Sequence, residues 1–396
     1  MNIIFYDSPN AFLSLQPFTL TRPICEIRIG ILKIREKWVK ALEKSLNIAE
    51  VGYQTMPYLQ AKYPLPYHQE NAQYLFINSC FLPHQDWLPE INHLLLGEGI
   101  LYQDMPIAWR SSHTENSLEY IKQWKNIGQD PTYLQNTWDI FLYNAQEIQQ
   151  DFTSITHGRS SAPISDPHTI CYNKENIFIE EGAKIKAAIL NAEKGVIYIG
   201  KNTEIQELSV IHGNFALCEG AVLNMGTKIK GDTTIGEYSK VGGEISNSVI
   251  FGYSNKGHEG FLGNSVIGEW CNLGADTNTS NLRNNYGQVK VWNYAQGQFV
   301  NSFQQFVGLM MGDHSKAGIN TMFNTGTVVG VSANIFGGDF PPKYIPSFAW
   351  GGAQGFEKYQ LEKAYETAQR VMERRKKTLD EYEKKILQYV YEITQL

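Results

Sequence analysis

The sequence has few cysteines, no excess of positive charge and no long hydrophobic run. Its five cysteines are odd in number and include no Cys-x-x-Cys pair, so neither a disulfide framework nor a zinc site is expected. A net charge of −6 provides no basic field for nucleic acid or an anionic membrane. No segment approaches the roughly 20 apolar residues of a membrane span, and the N-terminus lacks the features of a signal peptide. These absences predict a cytoplasmic protein that binds neither nucleic acid nor a membrane.

A six-residue repeat fills much of the second half of the chain. Between residues 199 and 241 every sixth residue is aliphatic, namely Ile199, Ile205, Ile211, Leu217, Leu223, Ile229, Ile235 and Val241. Neither a helix of period 3.6 nor a strand of period 2 produces this pattern, whereas a chain wound in coils with flat six-residue faces does. Because the repeat returns between Met311 and Ile335, we assign a hexapeptide-repeat solenoid to residues 169–340.

The segments that flank the repeat have a different composition. Residues 1–152 alternate strand-like and helix-forming runs, which predicts an α/β domain with ligands at the carboxyl ends of its strands. The expected strands are 1–6 and 74–78, and the expected helices are 34–46 and 138–151. Residues 153–168 are rich in Ser, Thr, Gly and Pro and are predicted to form a linker.

Residues 341–396 form a C-terminal extension. From Leu361 to Ile393 its apolar residues alternate at spacings of four and three, with Arg375 as the exception. This heptad pattern predicts one long helix of about ten turns. The pattern suits a helix packed on its own domain and an intermolecular coiled coil equally well.

The repeat is interrupted at residues 251–263, where the sequence SNKGHEGFLG is followed by NSVIGEWCNLGADTNTSN. This interruption resembles the bifunctional N-acetylglucosamine-1-phosphate uridylyltransferase and glucosamine-1-phosphate acetyltransferase family, in which S-x-x-G-H-x-x-Y-L-G precedes N-x-G-A-G-T. The resemblance implies a divergent member of this GlmU-like family, with a left-handed parallel β-helix in its C-terminal half. It also implies a homotrimer with an acetyl-CoA groove between adjacent β-helices.

The same resemblance implies roles for individual residues. His258 matches the general base of the family, and Asn272 matches an asparagine that contacts the sugar. Phe261 stands where the family has a tyrosine that contacts the sugar phosphate. Asn281 aligns with the asparagine that precedes the family's second loop, and the tyrosine that follows it in the family is Leu282 here. The loss of two hydroxyl groups leaves the identity of the hexosamine open.

Acyl transfer from a thioester to an amine requires a base and donors for the developing oxyanion. A histidine suits the role of base because its ordinary pKa is near 6.5. An exposed histidine in a loop is the alternative interpretation of His258. Lys256, Arg283 and Lys290 are candidate partners for the phosphates of coenzyme A or of the sugar.

Other histidines of the repeat are also candidates for the functional site. His314, together with Lys316, is a candidate for the wall of the coenzyme groove. His212, His258 and His314 could also indicate a metal hydrase on the same kind of solenoid, but their wide spacing disfavours a metal site.

The N-terminal domain carries a second resemblance, through the sequence LQPFTLTR. It resembles the L-x-P-x-T region of sugar-phosphate nucleotidyltransferases, which have a Gly-rich loop after the first strand and a Gly-Asp pair that holds magnesium. Here YDSPNAFLSL replaces the loop and FINSCFLP replaces the pair. The candidate nucleotide- and phosphate-binding residues are Arg22, Arg28 and Asn78, and the candidate replacement carboxylates are Asp7 and Asp104. Mg²⁺ and UTP are expected only if this domain is active.

The sequence therefore supports three hypotheses. The preferred one is a transferase of amino-sugar nucleotide synthesis that acetylates a hexosamine phosphate in its β-helix. The second is a non-catalytic sensor or scaffold that binds a sugar nucleotide. The third is a sugar-1-phosphate nucleotidyltransferase whose β-helix is only structural.

Overall fold

The computed structural model describes residues 1–67, 72–115 and 117–395. The chain forms two compact units. The first comprises Met1–Leu15, Thr21–Ile27 and Leu32–Asn136, and the second comprises Gln16–Leu20, Arg28–Ile31 and Thr137–Leu396. The predicted boundary at residue 152 falls within a helix of the second unit, Asn144–Thr156. The predicted boundaries at 168 and 340 stay predictions.

The first unit is built on one six-stranded mixed sheet. Its strands are β1 (Asn2–Tyr6), β2 (Glu50–Gln54), β3 (Tyr74–Asn78), β4 (Glu98–Tyr102), β5 (Met105–Ser111) and β6 (Gln123–Asn126). In the order β2-β1-β3-β5-β4-β6, β1 is parallel to β2 and β3, and β5 is antiparallel to β3 and β4. Because β1, β2 and β3 are parallel, the residues that follow them meet at one edge of the sheet. The strands predicted at 1–6 and 74–78 are confirmed.

Short helices accompany this sheet: α1 (Pro9–Ser14), α2 (Ile34–Leu42), α3 (Leu88–Asn92) and the 3₁₀ turns Ile24–Glu26 and Ser117–Tyr120. The helix predicted at 34–46 ends four residues early. The N–H groups of Ser45 and Leu46 both donate to Leu42 O, at 3.0 and 2.8 Å, and this turn closes the helix. The buried face of α2 includes Trp38, whose indole N–H donates to Phe81 O at 2.8 Å.

The second unit contains the predicted left-handed parallel β-helix. One of its faces carries the strands Ile177–Ile179, Ile197–Ile199, Phe215–Leu217, Thr233–Ile235, Val249–Ile250, Val266–Ile267, Leu309–Met311, Thr327–Val329 and Tyr344–Ile345. Ile199, Leu217 and Ile235 are paired in register at intervals of 18 residues. The repeat of six therefore arises because each coil has three faces, and successive anchors lie on successive faces.

The other two faces complete the coils. The second face carries Lys184–Ile185, Glu204–Ile205, Val222–Leu223, Lys240–Val241, Asn255–Lys256, Asn272–Leu273, Lys316–Ala317, Asn334–Ile335, Ala349–Gly352 and the antiparallel Gly355–Lys358. The third face carries Ile170–Tyr172, Ile189–Asn191, Val210–His212, Lys228–Ile229, Glu244–Ser246 and Phe261–Gly263. Farther along the chain, two more strands, Asn278–Thr279 and Met322–Phe323, pair with each other. The anchors fill the interior, where burial of each aliphatic side chain contributes about 1.5–3 kcal/mol.

Two further features interrupt or flank the coils. A hairpin of Lys290–Asn293 and Gln298–Asn301 is inserted between two coils, and its Trp292 ring stacks on Tyr344 at 4.1 Å. The helix predicted at 138–151 is two helices in the structure, α4 (Asp139–Leu142) and α5 (Asn144–Thr156). The second unit also has 3₁₀ turns at Phe18–Leu20 and Lys174–Asn176. Tyr143 separates α4 from α5.

The C-terminal extension is helical, as the heptad pattern predicts, but the prediction of one long helix is wrong. It consists of α6 (Leu361–Glu373) and α7 (Glu381–Ile393). Asp380 begins α7 because its carboxylate accepts the Glu383 N–H at 2.8 Å, while Glu383 accepts the Asp380 N–H. Both helices pack on a cluster of the same unit that includes Trp270 and Phe348. Within the described residues, none of the helices has the length and apolar character needed to cross a membrane.

Candidate functional site

The predicted interruption of the repeat forms a short loop on the β-helix. We call residues 257–260, between the strands Asn255–Lys256 and Phe261–Gly263, the His258 loop. His258 is exposed. The main chain of the loop is held by side chains, since Asn224 Nδ2 donates to Gly257 O at 2.7 Å and Lys256 Nζ donates to His258 O at 2.8 Å. A histidine side chain is thus presented to solvent from an anchored backbone.

The position of Lys256 differs from the one expected for a contact with a substrate phosphate, because its side chain points into the coil. It is 2% exposed and is paired in register with the interior residue Val241. Its ammonium donates to Gly242 O at 3.1 Å as well as to His258 O. Burial lowers the pKa of Lys256 to about 8. The side chain therefore binds main-chain carbonyls in the interior rather than a ligand at the surface.

Phe261 and Asn281 lie together beside the His258 loop. Gly263 makes this possible, because a Cβ built there would lie 2.5 Å from the Phe261 ring and 2.7 Å from Asn281 Nδ2. Asn281 donates to Asn264 Oδ1 at 2.8 Å. Asn272 is exposed on another face, where it is paired in register with Asn255 and Lys316. The structure thus brings Phe261 and Asn281 together and separates Asn272 from them.

Three cations line one cleft of ≈ 490 Å³, which we call the cation cleft. Its lining residues are Ser280, Leu282, Arg283, Asn284, Lys290, Asn324, Thr325 and Lys343. Arg283 Nη1 donates to Gln288 O at 3.0 Å, and Lys343 Nζ donates to Lys290 O at 2.9 Å. Burial, and then the charge of Arg283, lowers the pKa of Lys343. Arg283 and Lys290 were both predicted as partners for the phosphates of coenzyme A or of the sugar, whereas Lys343 was not predicted.

The cation cleft has the properties of an anion site. Across the described ranges, neither Arg283, Lys290 nor Lys343 has a carboxylate within ion-pair distance. The side-chain amides of the lining residues Asn284 and Asn324 are further groups that can donate hydrogen bonds. Phosphate groups are bound by such sets of cations and neutral donors through charge-assisted hydrogen bonds.

The His258 loop and the cation cleft belong to the same face of the β-helix. Phe261 follows the loop, and its main-chain N–H donates a hydrogen bond to Asn278 Oδ1 of the next coil at 2.9 Å. Ser280 of the cleft directly follows the strand Asn278–Thr279. Gly263 lies five residues after His258, a distance of at most about 18 Å even for an extended chain. The His258 loop thus precedes the strand Phe261–Gly263, and Ser280 of the cleft follows the strand Asn278–Thr279 of the next coil.

His314 lies in a turn at a corner of the β-helix, and Lys316 begins the strand that follows, Lys316–Ala317. The His314 ring lies 6.4 Å from the Trp270 ring, nearly parallel to it, and Trp270 belongs to the cluster that α6 and α7 cover. Lys316 Nζ donates to His314 O at 2.8 Å, and burial lowers the pKa of Lys316 to about 8. Its ammonium thus binds the main chain, which differs from the predicted contact with coenzyme.

The phosphate-binding residues predicted near the N-terminus have internal partners. Arg28 donates to Ile31 O and forms an ion pair with Glu237, both within the second unit. Asn78 Nδ2 donates to Pro106 O at 2.8 Å. Arg22 is buried, and Asp104 is exposed in the turn between β4 and β5. Arg28 and Asn78 therefore both have partners within the fold, and their role in phosphate binding stays a prediction.

Asp7 follows β1, at the sheet edge where the ligands of an α/β domain are expected. Its carboxylate accepts the Ile24 N–H at 3.2 Å and the Thr55 hydroxyl at 2.6 Å. Burial raises the pKa of Asp7 to about 7, against the lowering effect of these two donors. Mg²⁺ prefers ionised carboxylates in a hydrated octahedral site. Both oxygens of this buried carboxyl already accept hydrogen bonds from the fold, which does not suit Mg²⁺. Among the described residues, no group of three or more His, Cys, Asp or Glu side chains is placed to hold a metal ion.

The pKa of Asp7 predicts a pH-dependent contribution to stability. The pKa of this carboxyl is about 7 in the folded protein and near 3.8 in the unfolded chain, so the folded state binds the proton more tightly. Its contribution to the free energy of unfolding is therefore complete below pH 4 and is lost as the pH rises through 7, at about 1.4 kcal/mol for each pKa unit. We expect Asp7→Asn to remove this dependence, measured by hydrogen exchange of β1 and β3 at pH 5 and pH 8. An unchanged dependence in the variant would contradict the assignment.

The chain is similar to known sugar nucleotide enzymes over parts of its length. Residues 3–160 match the family described as sugar nucleotidyl transferase. The bifunctional sugar-1-phosphate nucleotidylyltransferase/acetyltransferase of Sulfurisphaera tokodaii is 29% identical over 162 residues, which are 40% of this chain and 38% of that protein. The bifunctional protein GlmU of Methanococcus aeolicus is 34% identical over 144 residues, which are 36% of this chain and 34% of that protein.

A further relative matches a longer segment. The bifunctional protein GlmU of Methanococcus maripaludis is 27% identical over 220 residues, which are 56% of this chain and 45% of that protein. The chain thus spans less than half the length of each of these relatives. The similarities confirm the resemblance that the sequence motifs predicted.

Proposed function

We propose that this chain, a divergent relative of the bifunctional GlmU proteins, transfers an acetyl group from acetyl-CoA to the amino group of a hexosamine phosphate, with His258 as general base. The observation that carries the proposal is the arrangement of one β-helix face. An exposed histidine on an anchored loop begins this face, and a cleft with three cations lies at its other end. The reaction requires a base for the amine proton and donors for the developing oxyanion, and a phosphate site holds the ligands in place.

The proposed step is nucleophilic acyl transfer. The sugar amine attacks the thioester carbonyl, so that a C–N bond forms, the C–S bond breaks and the thiol of coenzyme A leaves. His258 Nδ1 or Nε2 accepts the proton that the amine loses, because a neutral imidazole is a competent base near pH 7. Gly257 and Gly260 leave room for main-chain N–H groups to approach the substrate. Arg283, Lys290 and Lys343 hold phosphate oxygens of the coenzyme or of the sugar.

The first unit has a separate role in the proposal. Its match to sugar nucleotidyl transferases supports binding of a sugar nucleotide. UTP and Mg²⁺ would be used only if this unit also transfers nucleotides, and the engaged carboxyl of Asp7 favours binding without turnover. In the test of turnover, pyrophosphate release from UTP and a sugar 1-phosphate is compared with and without Mg²⁺, in wild type and in Arg22→Ala.

A homotrimer in the cytoplasm completes the proposal. Apolar side chains on the β-helix coils and the segments that connect them are exposed in the single chain, among them Ile319, Met322 and Phe336, and a second copy could cover them. The unpaired state of all five cysteines agrees with a reducing compartment. Analytical ultracentrifugation tests the trimer.

The activity is tested by thiol release from acetyl-CoA. With glucosamine 1-phosphate as acceptor we expect thiol release and a product that is one acetyl group heavier. Glucosamine without the phosphate is the matched acceptor and should react far more slowly, because it cannot occupy the cation cleft. Absence of thiol release with every amino-sugar phosphate, from a protein with intact secondary structure, would refute the proposed function.

A further inference from the structure

Lys256 is a charged residue at an interior position of the β-helix. The neighbouring interior positions are aliphatic, as in Val241, with which it is paired in register. An ammonium inside a coil loses its hydration, and this cost must be offset by hydrogen bonds to acceptors. The identity of those acceptors therefore indicates why a lysine stands at this position.

The acceptors connect the His258 loop to the preceding coil. Lys256 Nζ donates to His258 O at 2.8 Å and to Gly242 O at 3.1 Å. One ammonium thus connects a carbonyl of the loop to a carbonyl of the preceding coil. Asn224 Nδ2 donates to the adjacent carbonyl, Gly257 O, at 2.7 Å. Two consecutive carbonyl groups of the loop are thus bound by side chains that lie outside it. These bonds fix the main chain of the histidine itself.

The preceding coil is shaped to receive the loop at close range. A Cβ on Gly242 would lie 2.7 Å from Gly257 O, and a Cβ on Gly243 would lie 2.9 Å from His258 O and 3.0 Å from Lys256 Nζ. Gly243 also has a φ of +76°, which favours glycine. Any side chain at these two positions would push the loop outward and separate the ammonium from its acceptors.

We propose that Lys256 is a positioning residue for His258, which fixes the His258 loop on Gly242 and Gly243 together with Asn224. The inference rests on the proposed function for its effect on the reaction, but the effect on the loop stands on the contacts alone. Lys256 does not touch the substrate. It acts by holding the carbonyl of the residue that supplies the base.

The effect on the loop is tested by hydrogen exchange in Lys256→Met. This change keeps the length of an unbranched side chain in the interior and removes the donor. The amides of Asp276 and Glu244 report on the loop, since they donate to Glu259 O at 3.0 Å and to Gly260 O at 3.2 Å. We expect exchange of these amides and of residues 257–261 to become about 10- to 100-fold faster, as loss of a hydrogen bond to a charged group implies.

Two other variants accompany Lys256→Met. Asn224→Ala removes the second bond to the loop from a partly exposed position and should change the same amides without altering the interior. Thr203→Val is the matched control, because Thr203 is buried in a coil remote from the loop and its hydroxyl also donates to a carbonyl, Gly200 O, at 2.8 Å. Exchange in the His258 loop should not change in this control.

The effect on the reaction is tested by a double-mutant cycle. Lys256→Met alone should lower kcat about 10- to 100-fold with little change in KM. In a His258→Ala background it should lower the residual rate no further, because a residue that acts through His258 has no effect once His258 is absent. A merely structural role would lower the rate in both backgrounds.

The outcomes separate this inference from the proposed function. Unchanged exchange of the loop in Lys256→Met would overturn the inference, whatever the activity. A faster-exchanging loop with unchanged kcat, or a further loss in the His258→Ala background, would also overturn it. If wild type transfers no acetyl group, the proposed function fails, and the exchange result alone decides whether Lys256 holds the loop.

Discussion

Replacing His258 by alanine is expected to lower kcat for acetyl transfer by about 10²- to 10⁴-fold, the usual contribution of a general base. The histidine is exposed, and the contacts that hold the His258 loop use its main-chain carbonyl and that of Gly257. The substitution should therefore leave the fold and the free energy of unfolding nearly unchanged. The rate is followed by thiol release at saturating acetyl-CoA and amino-sugar phosphate.

His212→Ala is the matched control for this experiment. His212 is also exposed, at the end of the strand Val210–His212 on the same face of the β-helix, but on a different coil from the His258 loop. Its replacement should leave kcat within about twofold of wild type. Equal losses in the two variants, or no loss in either, would contradict the role assigned to His258.

The second large effect is expected in the cation cleft. Changing Arg283, Lys290 and Lys343 together to glutamine should raise KM for the phosphate-bearing ligand at least about 100-fold. Each lost hydrogen bond to a charged group is worth about 1.5–3 kcal/mol, and about 1.4 kcal/mol corresponds to a factor of ten. kcat should change much less, because the cleft lies at the end of the face away from His258. The measurement is steady-state kinetics with acetyl-CoA and the sugar phosphate varied in turn.

A control for net charge is available on the same β-helix. Lys184, Lys201 and Lys240 are exposed, and their joint replacement by glutamine changes the net charge by the same amount. Similar KM values in the two triple variants would show that the cleft does not bind the phosphate. In wild type KM should also rise with salt, since screening weakens exposed charge pairs, and this dependence should be smaller in the cleft variant.

The fold could be predicted where burial is periodic. Ile199, Leu217 and Ile235 point inward at regular intervals, and that regularity identifies a three-faced coil. The C-terminal segment was harder because its heptad spacing continues through the break between α6 and α7. The capping pair Asp380 and Glu383 was the available signal for a new helix start.

The candidate site was predictable only in part. The motif identified His258, but it did not show that Lys256 points inward, because that depends on register. Lys256 follows its partner Val241 by 15 residues rather than 18, so the repeat of six does not predict its orientation. Lys343 lies 53 residues beyond Lys290 along the chain, and only the folded hairpin and coils bring them together.

The most direct test of the account is a crystal structure of the protein with coenzyme A and an amino-sugar phosphate. The account predicts that the sulfur and the sugar amine meet beside His258, with the amine within about 3–3.5 Å of the imidazole. It also predicts a phosphate group of one of these ligands in the cleft of Arg283, Lys290 and Lys343. Coenzyme bound elsewhere, with the His258 loop and the cation cleft both empty of ligand, would contradict it.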